Sequence, residues 1–63
     1  MTEEEAYRVL ELDPRARPEV VRAAFTALRE ICLREDGDDA PRRLAELNRA
    51  LRLATERAGA RPG

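Results

Sequence analysis

Two prolines, each opening a run of apolar residues, constrain this chain more than any other feature. Pro18 is followed by Val21, Ala24, Phe25, Leu28 and Cys32, and Pro41 by Leu44, Leu47, Leu51 and Ala54. Recurrence at steps of three and four places such side chains on one face of an α-helix. Proline suits a first helical turn, where its missing N–H has no helical partner. Between the runs, Gly37 stands among Asp36, Asp38 and Asp39 and marks a break. No stretch alternates apolar with polar residues, so strands are not expected. The pattern predicts helices near residues 18–34 and 41–57, antiparallel because the turn between them is short.

A shorter helix is predicted near residues 3–11. Thr2 and Glu5 have the spacing of a capping box, and Glu3, Glu4 and Glu5 suit the positive end of the helix dipole. Tyr7 and Leu10 share one face, and Asp13-Pro14 bounds the helix because a residue before proline avoids helical geometry. The fold class is therefore all-α, with a short N-terminal helix packed on an antiparallel two-helix hairpin. Residues 1–57 form the domain, and Gly59 and Pro62 mark a polar tail over 58–63. Phe25, Leu28, Leu44, Leu47 and Leu51 are the expected common core. A chain of 63 residues buries only about 60% of its unfolded surface, so this core has little in reserve.

Charge and composition then exclude several functions. Residues 1–39 hold 11 acids and 6 arginines, whereas residues 40–63 hold 6 arginines and 2 acids. The sum is −1 with a pI near 5.4, far from the basic footprint of a nucleic-acid-binding domain. The chain has no histidine and no lysine, which leaves no nucleophile–base pair, and no enzymatic activity is expected. Cys32 is the single cysteine; it lies on the apolar face and reads as a small buried hydrophobe. No metal-ligand spacing occurs, and Asp36, Asp38 and Asp39 lack the calcium-loop pattern, so no cofactor or metal is expected. No apolar run reaches the ~20 residues of a membrane span, and no signal-peptide pattern opens the chain. A cytoplasmic location is the expectation. Arg42, Glu46, Arg49, Arg52 and Glu56 read as a solvated face of mutually supporting charges.

Order and spacing together resemble a J-domain, the DnaJ-type co-chaperone module. Tyr7-Arg8-Val9-Leu10 stands where members open with a tyrosine and a Val-Leu pair. Leu12-Asp13-Pro14 and Pro18-Glu19 match the following turn and helix start, and Val21, Ala24-Phe25 and Leu28 match the second helix. Leu44, Leu47-Asn48 and Ala50-Leu51 occupy the positions of the third. The resemblance covers residues 5 to 54.

In that family the second helix runs into a loop bearing a His-Pro-Asp triad, which makes an ATP-driven heat-shock chaperone hydrolyse its nucleotide. Counting from Phe25 and Leu28, the triad falls on Leu33, Arg34 and Glu35, and none of the three matches. Without the proline, the helix is free to run on past Leu33. The family's second helix also presents basic residues to the chaperone. Those positions are Arg22, Ala23, Thr26, Ala27 and Ile31, with one positive charge among five.

The expectation is a degenerate, non-catalytic J-like module that binds protein without stimulating the chaperone ATPase, as a regulator or scaffold. Some members lacking the triad pair with active J-proteins in this way. The alternative is an adaptor or subunit of an unrelated assembly that reuses the fold. Val20, Arg22, Ala23, Ala27 and Ile31 are the candidate partner-binding residues. At 100° per residue, Val20, Ala23, Ala27 and Ile31 extend the apolar face of the second helix to an arc of about 200°, wider than a surface helix needs. Either the first helix packs there, or the face docks another protein. Candidate partners are a heat-shock chaperone, a J-protein, another helical protein or a second copy; nucleic acid and membrane are not expected.

Overall fold

The first helix, α1, spans Glu3–Val9. It begins where the Thr2 Oγ1 accepts a hydrogen bond from the Glu5 N–H at 3.2 Å. The computed structural model describes residues 1–60. Two further helices follow, α2 over Pro18–Glu35 and α3 over Ala40–Ala60. A single 3-10 turn, Gly37–Asp39, links them, and the short link sets them antiparallel. No strand occurs among the described residues.

The end of α1 is set by backbone hydrogen bonds and not by Pro14. The Leu12 N–H donates to the Tyr7 carbonyl at 2.9 Å and the Glu11 N–H to the Arg8 carbonyl at 3.0 Å. These are the two bonds of a Schellman motif, which requires a left-handed residue just past the helix. Glu11 fills that place at φ 56°. The helix therefore stops two residues short of the predicted position 11. Downstream, the Asp13 Oδ1 accepts from the Arg15 N–H at 2.8 Å, an Asx-turn that leads to Pro18 in the first turn of α2.

Gly37 plays the matching part after α2, at φ +53°. A Cβ built there meets no atom within 4 Å, so any penalty for a side chain is backbone strain alone. The two sites predict opposite effects. Glu11→Gly is expected to raise stability by about 1 kcal/mol and Gly37→Ala to lower it by about the same amount. Urea midpoints of the two variants check this, and a shift of the same sign in both would refute the left-handed assignments.

α3 is the central element. α2 packs along one side of it and α1 along another, and among the described residues no Cα of α1 comes within 8 Å of a Cα of α2. The short helix lies nearest α3, and its end of the core, with Tyr7 and Leu10, belongs to the same cluster as Val21 and Cys32 of α2. The reason lies in the side chains. Ala50, Ala54 and Ala58 are buried on α3, as is Ala6 on α1, and alanine lets helix backbones approach closely. The Tyr7 hydroxyl, also buried, donates to the Ala54 carbonyl at 3.3 Å and fixes α1 in place.

The core differs in part from the expected set. Leu47 is fully buried, with Tyr7, Leu10 and Val21 as its large companions and Cys32 beside them. Phe25, Leu28, Leu44 and Leu51 pack against this cluster but are only half buried. Three helices side by side make a layer about 14 Å thick, which leaves side chains at the rim of each seam partly wet. α3 also runs past the expected domain boundary at residue 57. Ala58 is buried and Gly59 is helical, because the face that begins at Leu47 continues through Ala54 to Ala58. The remainder of the expected tail, residues 61–63, lies outside the described residues.

Candidate functional site

α2 carries every residue singled out as a candidate. Its last helical residue is Glu35, and Asp36 closes it by donating its N–H to the Cys32 carbonyl at 3.0 Å. Leu33, Arg34 and Glu35 therefore form the final turn of a regular helix, not a loop. Leu33 is 55% exposed. The Arg34 guanidinium stands 3.6 Å from the Glu35 carboxylate, with both side chains in solvent. With an N–H at position 34 and free φ, nothing interrupts the helical ladder there. The connection left between α2 and α3 is Asp36 and the 3-10 turn Gly37–Asp39.

The stripe beside the core face is open. Val20 is 48% exposed and Ile31 41% exposed, and Ala23 and Ala27 between them are exposed as well. The reading in which the first helix covers this stripe is overturned, since α1 lies on α3. Arg22 does not belong to the same surface. At 100° per residue it points about 160° away from Val20. It lines instead a groove at the other seam of α2 and α3, with Asn48, Leu51, Arg52, Thr55 and Glu56. The Thr55 Oγ1 in that groove is buried without a hydrogen-bond partner, a residue the sequence pattern did not mark. Thr26 turns its hydroxyl back to the Arg22 carbonyl at 3.1 Å, so it presents no donor outward.

Titratable groups behave as structural elements. Burial pushes the Cys32 thiol up, and the neighbouring Asp36 carboxylate pushes it further; its S–H points to the Ala40 carbonyl at 3.6 Å. A raised, buried thiol is a poor nucleophile. The Glu3 carboxylate beside Arg57 raises that guanidinium and ties α1 to the C-terminal part of α3. On α3, Glu46 pairs with Arg43, where the sequence suggested Arg42 and Arg49. Among the described residues no three His, Cys, Asp or Glu side chains converge on a point that could hold a metal, and no helix is long and apolar enough to cross a membrane. No family model matches the chain, and no curated protein or solved structure matches it at a significant level.

Proposed function

We propose that the chain is a non-catalytic, J-domain-like protein-interaction module, acting as a regulator or scaffold in a chaperone system of the cytoplasm without stimulating the chaperone ATPase. One observation carries this reading: α2 continues unbroken through Leu33, Arg34 and Glu35, the positions that the J-domain resemblance assigns to the signalling triad. A ligand shifts a two-state protein only through contacts that differ between its states. A solvated helical turn of leucine, arginine and glutamate offers no equivalent of a His-Pro-Asp loop. What α2 does offer is the open apolar stripe of Val20, Ala23, Ala27 and Ile31, which suits docking by packing.

The thin positive charge on α2 favours a second reading, an adaptor in an assembly unrelated to chaperones. Charge at an interface rim chiefly sets encounter rate and orientation, so its loss weakens the tie to a chaperone more than to other helical proteins. One assay separates the readings. Single-turnover ATP hydrolysis by the cognate heat-shock chaperone is expected to stay within about twofold of its basal rate when this protein is added. Stimulation comparable to an active J-protein of the same cell would overturn both. Excess protein added to a reaction already driven by that J-protein is expected to inhibit it if the module is a regulator, and to leave it unchanged if it is an adaptor elsewhere.

A further inference from the structure

α1 ends earlier than its own sequence requires. The local stop is Pro14, since the residue before a proline avoids helical geometry. Leucine and glutamate are good helix formers, so nothing local halts the helix at Val9. Yet Glu11 is turned into the left-handed region at φ 56°, a conformation that costs a residue other than glycine about tenfold in population. There the Glu11 and Leu12 N–H groups donate to the Arg8 and Tyr7 carbonyls. With Glu11 at ordinary helical angles, the same donors would meet Tyr7 and Arg8 in the regular helical ladder. No backbone hydrogen bond is lost when this turn opens. α1 would then run on towards Asp13, off its seat on α3.

That seat consists of a few discrete contacts. The Tyr7 hydroxyl reaches the Ala54 carbonyl, Glu3 meets Arg57, and Ala6 and Leu10 are buried. The tether from Glu11 to Arg17 is exposed apart from the half-buried Leu12 and Ala16.

We propose that Glu11 is a hinge through which two copies of the chain exchange their first helices, each α1 docking on the α3 of the other copy. Tyr7, Leu10 and Glu3 then find the same partners as in the closed chain, and the contact to the α2 side of the core is remade as well. What differs is the hinge. Exchange releases the left-handed Glu11 of both chains, and a short hinge under strain invites domain swapping. Leu12 packs against the core in the closed form, and its displacement offsets part of that gain. The exchange needs neither a chaperone nor the open stripe on α2.

Tether and strain together set the strength. A short tether holds α1 against its own α3 at an effective concentration in the millimolar range. Relief of about tenfold per chain, less the share lost at Leu12, brings the Kd for exchange to the order of 10–100 µM.

Sedimentation equilibrium of the full chain from about 1 µM to 2 mM, after overnight incubation at each concentration, brackets that range. Wild type is expected to pass from monomer to dimer. Glu11→Gly removes the cost of the left-handed position and is expected to raise the Kd at least about tenfold. Glu11→Ala removes the charge but keeps the strain, and is expected to stay within about threefold of wild type. Charge reversal then reads the topology. Glu3→Arg and Arg57→Glu each set like charges together within their own chain. When one variant exchanges helices with the other, both contacts between α1 and α3 again join opposite charges. The mixture is therefore expected to dimerise with a Kd at least about threefold below that of either variant alone. Chains that associate while keeping their own α1 retain both repulsions and gain nothing on mixing. Circular dichroism verifies the fold of each variant. The two Glu11 variants leave the seat untouched, so they decide the matter even if a charge-reversed chain does not fold. A wild type still monomeric at the highest concentration, a Glu11→Gly chain that dimerises as well as wild type, or a folded mixture no tighter than its components overturns the inference.

Discussion

Leu47→Ala is expected to lower stability by about 2–5 kcal/mol, the range for truncating a fully buried leucine. Leu47 has no exposed surface and sits on α3, the helix that both others use. Among the described residues its side chain is one of four large ones that are fully buried, and the half-buried Phe25, Leu28, Leu44 and Leu51 pack against that cluster. Domains hold about 0.05–0.15 kcal/mol per residue. For 63 residues that is about 3–9 kcal/mol, so this one truncation removes a large part of it. In a domain this size each kcal/mol moves Tm by about 4–8 °C, and the expected fall is at least about 10 °C. Leu33→Ala is the matched control. That leucine is 55% exposed, and its truncation is expected to stay within about 0.5 kcal/mol. Thermal melts followed by circular dichroism give both values. Similar Tm values for the two variants would show that the core is not centred on Leu47.

Much of this architecture is legible in the sequence, and the parts that are not have physical causes. Pro18 and Gly37 mark boundaries through backbone chemistry that acts locally, so they hold in the fold. Leu47 is legible because it is central in its periodic run. The end of α1 is not, because a Schellman motif usually announces itself with glycine and here Glu11 takes the left-handed place. The expected common core named only bulky side chains, yet Ala6, Ala50, Ala54 and Ala58 are buried as well. Their contribution is close approach, which depends on what lies opposite and not on their own bulk. For the same reason Gly59 looked like a stop, although Ala54 and Ala58 carry the buried face past residue 57.

The candidate site divides similarly. That α2 could run through Leu33 and Arg34 follows from the missing proline, a local property. The width of its apolar arc also follows from angles alone. Whether α1 would cover that arc does not, because the choice between α2 and α3 is a tertiary one. In the fold Tyr7 reaches the Ala54 carbonyl and the half-exposed Glu3 meets Arg57, both partners on α3. Arg22 was grouped with the stripe on positional resemblance, and its angle on the helix separates it.

Tyr7 is accordingly the residue on which the attachment of α1 depends, and two substitutions separate its contributions. Tyr7→Ala is expected to cost about 3–5 kcal/mol, the range for truncating a buried aromatic side chain. Tyr7→Phe keeps the ring and removes only the hydroxyl, whose partner is a buried carbonyl 47 residues away. That carbonyl retains a second lone pair and the ordinary acceptor role of a helix interior, so its loss is bounded. The expected cost is about 1 kcal/mol, the net worth of a neutral hydrogen bond. The fold also predicts how Tyr7→Ala fails. No α1 backbone lies against α2, so α1 can leave while α2 and α3 keep their mutual seam. Amide hydrogen exchange is therefore expected to speed up first over residues 3–9, at denaturant concentrations where the amides of Val21 to Cys32 are still protected. Simultaneous loss of protection in all three helices would mean instead that α1 is integral to the hairpin and that the domain has a single cooperative unit.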